Sequence, residues 1–149
     1  MQASSRSCPL SQTTDAPSQD IARGVLESLS EPDVVLSIPG TEYKLALKLS
    51  GPADRIRAVV GKRIKGTIQA RALRMFKAKG GGRFIEPVWG EPRIVAGFIL
   101  AVDQPNRRVL VDVAVPMWMT FDARQPPDAF NVGDLVNCYV ESGTTFAPI

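Results

Sequence analysis

Three consecutive glycines, Gly80 to Gly82, lie between two cations, Lys79 and Arg83. Such a loop can bind phosphate when a strand precedes it and a helix follows, because backbone N–H groups at the helix N-terminus then converge on the anion. Here the next residues, Arg-Phe-Ile-Glu-Pro-Val-Trp-Gly-Glu-Pro, contain two prolines and several strand-forming side chains, which argue against a helix. The pattern therefore predicts a hairpin reversal in which the glycines supply positive φ angles.

The segment from residue 55 to residue 83 carries ten basic and no acidic side chains. Both flanks are net acidic, so the formal net charge of +3 conceals a strong local positive potential. We predict that residues 64–79 form a strand, reverse at the glycines and return over 83–93 as a basic β-ribbon. A helix over 69–79 is the alternative, because that stretch is rich in helix-favouring residues and Gly80 could cap it.

The predicted ribbon gathers basic side chains around one tryptophan. This combination suits single-stranded DNA or RNA, because cations neutralise phosphates and an aromatic ring stacks on a base. The candidate residues for binding nucleic acid or another polyanion are Lys62, Lys65, Arg71, Arg74, Lys77, Lys79, Arg83, Trp89 and Arg93. The same residues also fit a solvated or protein-facing surface, so an interaction or assembly domain is the second function that the sequence supports.

The chain contains no histidine, which disfavours Ser-His-Asp and Cys-His catalysis and histidine-ligated metal centres. Its two cysteines, Cys8 and Cys138, are far apart and neither belongs to a C-x-x-C pair. We expect Cys138 to be a buried apolar residue, since it lies in the run Leu-Val-Asn-Cys-Tyr-Val. The sequence predicts a non-catalytic protein without a cofactor or a bound metal.

The remaining elements are predominantly strands. Residues 1–19 are rich in Ser, Thr, Gln and Pro and are predicted to be a disordered leader, followed by a single domain over 20–149. Asp20 is expected to cap a short helix whose apolar face is Ile21, Val25, Leu26 and Leu29. Two strands are predicted to form a hairpin around Pro39-Gly40, and residues 53–60 a short helical turn.

Three segments resemble an OB-fold barrel: the alternating strand 43–49, the basic strand entered through Val-Gly-Lys-Arg-Ile-Lys-Gly (60–66), and the closing Phe-Asn-Val-Gly-Asp-Leu-Val (130–136). The resemblance covers residues 43–142. It implies a mainly β, small closed barrel that binds on its outer strand face and flanking loops, commonly oligonucleotides. No internal repeat is visible in the sequence.

The chain has no apolar run approaching the roughly 20 residues of a membrane span, and residues 1–20 do not read as a secretory signal. We therefore expect a cytoplasmic protein without membrane contact. The oligomeric state is not predicted.

Overall fold

The computed structural model describes residues 19–122, 125 and 127–149, so the predicted leader lies outside the described residues except for its last position. Within those residues the chain forms one eleven-stranded sheet, as the predicted mainly β class requires. The strands are β1 (Ala22–Ser30), β2 (Asp33–Ser37), β3 (Lys44–Leu49), β4 (Arg63–Lys77), β5 (Phe84–Glu86), β6 (Trp89–Gly90), β7 (Ile94–Asp103), β8 (Arg108–Asp112), β9 (Pro116–Thr120), β10 (Leu135–Val140) and β11 (Thr145–Pro148).

The predicted N-terminal helix is wrong, because its residues form strand β1. β1 pairs with β2 along one edge and with β4 along the other. A register shift between Leu26 and Ser28 interrupts the strict alternation of buried and exposed residues. The interruption gives the apolar side chains a spacing that imitates a helical face.

The hairpin around Pro39-Gly40 is confirmed. β2 pairs antiparallel with β3 from Asp33 opposite Lys48 to Ser37 opposite Lys44, and Gly40 adopts a φ of +79° in the turn. The helical turn predicted over 53–60 is present as two single 3-10 turns, Ala53–Arg55 and Arg57–Val59, with Ile56 buried between them.

The prediction of a strand over residues 64–79 is confirmed by β4, but the predicted ribbon is wrong. β4 pairs with β1, β11, β9 and β10 in turn, which occupies both of its edges. The returning segment does not pair with it. That segment divides into β5, which pairs with β7, and β6, which pairs with β3.

The strand pairings close into two circuits that share β4. The first runs β1-β2-β3-β11-β4 and returns to β1, and it uses the N-terminal half of β4. The second runs β7-β8-β9-β4-β10 and returns to β7, and it uses the C-terminal half. In each circuit one pairing is parallel, β3 with β11 and β9 with β4, while the others are antiparallel.

The two circuits share one arrangement of strands, although no repeat is visible in the sequence. In the first repeat Gly24 of β1 pairs with Ile64 of β4, and in the second Gly97 of β7 pairs with Val136 of β10 in the equivalent position. Both first strands carry a register shift after the corresponding residues, Leu26 and Ile99. The repeats have exchanged strands, since β11 completes the first circuit and the end of β4 completes the second.

A hydrogen-bond signature supports the equivalence of the repeats. The N–H of Gly61 donates to the carbonyl of Leu26 at 2.6 Å, and the N–H of Gly133 donates to that of Ile99 at 2.8 Å. Both glycines have positive φ, +85° and +94°. A Val-Gly pair therefore forms the same entry turn before β4 and before β10.

The core lies between the inward faces of the circuits. Its largest fully buried side chains include Leu26, Leu45, Ile68, Met117 and Phe146, drawn from both repeats. Met117 and Met119 are fully buried and belong to this core.

Candidate functional site

The structure distributes the nine candidate binding residues over three surfaces. Lys62 and Lys65 lie at the start of β4 in the first repeat, and Trp89 lies on β6 beside β3. The remaining six follow the second half of β4 and the chain around β5 and β7: Arg71, Arg74, Lys77, Lys79, Arg83 and Arg93. The single ribbon on which the prediction was based does not form.

Three of these cations face carboxylates. Arg71 Nε lies 3.7 Å from Glu141 Oε1, Lys77 Nζ lies 3.5 Å from Asp134 Oδ2, and Arg83 Nη1 donates to Asp112 Oδ2 at 2.9 Å. All three cations remain half-exposed. Their charge is thus partly compensated, and exposed pairs of this kind add little to stability.

Arg74 and Arg93 have no salt bridge within the described part of the chain, and they lie beside exposed apolar side chains. Tyr139 on β10 is the strand partner of Arg74 and also of Ile94, the residue after Arg93. The Arg74 guanidinium lies 5.9 Å from the centre of the Phe76 ring. We call Leu73, Arg74, Phe76, Arg93 and Tyr139 the basic-aromatic face.

The rings of the basic-aromatic face are open to solvent. Phe76 is 39% exposed, Tyr139 is 45% exposed, and their ring centres are 6.2 Å apart with planes tilted by 45°. Leu73 is 56% exposed. Three large apolar side chains are thus exposed side by side next to cations, and none of them is covered by another part of the described chain.

An irregularity in β4 creates this face. Ala72 is opposite Val140 and Arg74 is opposite Tyr139, so Leu73 is an extra residue in β4. Before it, odd-numbered residues of β4 point outward, whereas beyond it Met75 is buried and Phe76 is exposed. The extra residue therefore places Phe76 on the outer face of the sheet.

A cleft of about 690 Å³ adjoins the basic-aromatic face. Arg93, Leu73 and Tyr139 form one part of its wall, and Pro87 and Val88 form another, together with a single carboxylate, Glu86. The cleft is thus largely apolar with one cation and one anion at its rim. It is large enough to receive a planar ring or a side chain from a partner.

Trp89 is 69% exposed, as its proposed role requires, but it pairs with β3 and does not line the cleft beside the basic-aromatic face. Its indole Nε1 donates to the carbonyl of Glu42 at 3.0 Å, and Lys44 Nζ lies 5.6 Å from the ring centre. The hydrogen bond fixes the ring against β3.

Sequence reasoning missed Phe76 and Tyr139 as surface residues. Tyr139 alternates with the buried residues Cys138 and Val140, and this period-2 signal could have revealed it. Phe76 carried no such signal, because the extra residue Leu73 reverses the alternation within one continuous strand.

Cys138 is buried as expected, and burial raises the pKa of its thiol to about 12. The thiol is therefore protonated at neutral pH and is a poor nucleophile. No group of three or more potential metal ligands occurs among the described residues, and no helix in that part of the chain is long and apolar enough to cross a membrane.

Comparison with protein families, with curated proteins and with solved structures finds no match to this chain.

Proposed function

We propose that the protein is a non-catalytic module that binds single-stranded nucleic acid across the basic-aromatic face. The observation that carries the proposal is the grouping of two exposed rings, Phe76 and Tyr139, with two cations that have no carboxylate partner within the described chain, Arg74 and Arg93. The rings would stack on bases and the cations would neutralise phosphates. The partly compensated Arg71 and Lys77 extend the positive surface along β4, and Lys79 follows just after the end of that strand.

We further propose that the first circuit is an OB-like closed barrel. Support comes from its strand order, β1-β2-β3-β11-β4, with a single parallel pairing between the third and the last strand in the chain. An OB-fold barrel has five strands in this Greek-key arrangement. The second circuit supports the same proposal, because it has the corresponding order with an exchanged strand.

Salt-titrated binding tests the proposed function. A fluorescently labelled 12-nucleotide single strand should bind, and the logarithm of its association constant should fall linearly with the logarithm of salt concentration. Two to four phosphate contacts predict a slope of about −1.5 to −3 for a single strand. Affinity that is indifferent to salt, or absent at low salt, would contradict the proposal.

Paired substitutions locate the surface. Arg74→Ala should weaken binding and reduce the salt slope by about 0.7. Arg55→Ala is the control, because it removes the same charge from an exposed position in the 3-10 turn before β4, and it should leave binding unchanged. Phe76→Leu keeps an apolar side chain but removes the stacking ring, and should cost about 5- to 100-fold in affinity.

A protein partner is the second candidate function, and the apolar cleft beside Leu73 and Val88 favours it. A protein partner would insert an apolar side chain there, so binding would tolerate Phe76→Leu and be lost in Leu73→Asp. Phe76→Leu distinguishes the functions, because nucleic acid depends on the ring at position 76 whereas Leu73→Asp, which adds a negative charge beside Arg74, should weaken binding of either partner.

A further inference from the structure

The two repeats differ in one respect that points to a second binding site. In the second repeat, residues 94–96 of β7 have β10 on one edge and β5 on the other. In the first repeat, the corresponding residues are Ile21, which precedes β1, and Ala22 and Arg23 at its start. Ala22 and Arg23 pair with β4 on one edge, and no strand of the described chain pairs with their opposite edge.

This open edge of β1 borders a cleft of about 730 Å³. The start of β1, residues 38–39 after β2, the start of β4 and residues 114–116 line the cleft. Its side between β1 and the end of β2 is the place that corresponds to β5. Its apolar lining includes Ile21, Ile38 and Val115. In the second repeat, Ile85 at the centre of β5 is fully buried against β7, so an apolar side chain is the natural occupant of this position.

Three cations surround the cleft, and its lining includes no carboxylate. They are Arg23, Arg63 and Lys65, and none of them has a salt bridge within the described part of the chain. Arg23 is the direct strand partner of Lys65, and Arg63 is the partner of Val25 two positions along. Like charges placed directly opposite on a sheet destabilise it, and an anionic ligand would remove that cost.

The fold does not require these charges. The repeat equivalence places Ala96, Leu135 and Asn137 where the first repeat has Arg23, Arg63 and Lys65, and Ala96 is opposite Asn137 just as Arg23 is opposite Lys65. The repeat that contains its own β5 is therefore neutral at this site. The repeat with the open edge is triply positive.

We propose that the open edge of β1 binds an extended acidic peptide by strand addition. The peptide lies antiparallel to residues 21–23 as β5 lies to β7, with an apolar side chain directed inward and acidic side chains facing outward. Its backbone hydrogen-bonds to β1, as in other complexes formed by adding a strand to a sheet edge. Its carboxylates pair with Arg23, Arg63 and Lys65.

The direct test is fluorescence anisotropy with labelled seven-residue peptides and the full chain. The probe Gly-Ser-Glu-Ile-Glu-Ser-Gly places an acid, an apolar residue and an acid at its centre, and should bind with a Kd below about 1 mM. The glutamine version, Gly-Ser-Gln-Ile-Gln-Ser-Gly, and a version of the probe with N-methylated central amides should each bind at least about tenfold more weakly.

The second repeat supplies substitutions that its own fold already accommodates. Arg23→Ala, Arg63→Leu and Lys65→Asn should each weaken binding of the acidic probe, and the triple variant should abolish it. Arg74→Ala is the matched control, because it removes a cation from the basic-aromatic face and should leave peptide binding unchanged. It also separates this proposal from the proposed nucleic-acid function, which depends on Arg74 and not on Arg23.

Amide NMR spectra should show the largest shifts at residues 21–23 on addition of the probe. Failure of the probe to bind at 1 mM would overturn the proposal, as would equal binding of the glutamine or N-methylated versions. Binding of inorganic pyrophosphate that the triple variant abolishes, without peptide binding, would reassign the cleft to a small anion.

Discussion

Position 97 requires glycine, because β7 and β8 approach each other too closely there for a side chain. A Cβ atom there would overlap the backbone carbonyl of Asp112 and press on Val111, and neither can move without disturbing β8. Gly24, the corresponding residue of the first repeat, similarly approaches the carbonyl of Ser37. A side chain is thus excluded at the same place in both repeats.

We predict that Gly97→Ala lowers the free energy of unfolding by about 2–3 kcal/mol, because the added methyl group overpacks a backbone contact. Urea denaturation measures this. Gly82→Ala is the matched control, since a Cβ at position 82 meets no atom within 4 Å, and it should change stability by less than about 0.5 kcal/mol. Equal stability of the two variants would contradict the strand spacing at Gly97.

The thiol of Cys138 provides a second test at the level of one residue. Burial raises its pKa from 9.0 to about 12, because the charged thiolate is poorly solvated in the interior. At pH 8 the fraction of Cys138 present as thiolate is then about a thousandfold lower than for an unperturbed cysteine with a pKa of 9.0.

In a Cys8→Ser background we therefore predict that a disulfide reagent such as dithionitrobenzoate modifies the native protein at least about a thousandfold more slowly than the protein unfolded in urea. Similar rates in the two states would show that Cys138 is accessible and its surroundings are polar.

In the segment between β9 and β10, the side chain of Gln125 hydrogen-bonds to the backbone of β4 where no strand pairs with it. The Gln125 amide caps β4 beyond the point where β9 ends: Met75 N–H donates to Gln125 Oε1 at 2.9 Å, and Gln125 Nε2 donates to the Met75 carbonyl. Both polar groups of the partly buried Gln125 side chain are thereby satisfied, as are the N–H and carbonyl of Met75.

We predict that Gln125→Ala destabilises the protein by about 1–3 kcal/mol, because it leaves two backbone groups of β4 without partners. Gln104→Ala removes a glutamine from an exposed turn and should change stability by less than about 0.5 kcal/mol. Thermal unfolding followed by circular dichroism compares the two. A smaller effect at position 125 than at 104 would show that water replaces the amide.

The elements were predictable from the sequence where local patterns decided them. β3 and the hairpin around Gly40 follow from clean alternation and a Pro-Gly turn, and β4 follows from alternation up to Ala72. β1 was mistaken for a helix, because its bulge breaks the period of two. The pairing of β4 was not predictable from local sequence, because its partners β10 and β11 are distant in the chain. The triple glycine instead favoured pairing with the adjacent segment.

The candidate site was predictable in part for the same reason. The cations of residues 55–83 are evident in the sequence, and Arg74 and Arg93 were among the candidates. Their grouping with Tyr139 depends on the β4–β10 pairing, and the exposure of Phe76 depends on Leu73. The repeat itself left faint traces, namely the Val-Gly pairs before β4 and β10 and the glycines at 24 and 97.

The whole molecule cannot divide cleanly into two units, because each circuit contains a strand that belongs in sequence to the other. β4 supplies strands to both, and β11 follows β10 directly but completes the first circuit. Loss of either circuit would leave unpaired strand edges and exposed core on the other.

We therefore predict a single cooperative unfolding transition. In Trp118→Phe, fluorescence of Trp89 reports on the first circuit, and in Trp89→Phe, fluorescence of Trp118 reports on the second. In each variant the urea midpoint from fluorescence should coincide with the midpoint from circular dichroism. Two separated midpoints in either variant would show that the circuits are independent.

The exchanged strand also bears on how the protein is made. A ribosome releases β1, β2, β3 and the first half of β4 long before residues 145–148, which fill the gap between β3 and β4. During that interval the strands of the first circuit lack β11, which pairs with both β3 and β4. Maturation of the first half must wait for translation of the second, so a nascent chain stalled before residue 145 should remain sensitive to protease and should be a substrate for chaperones.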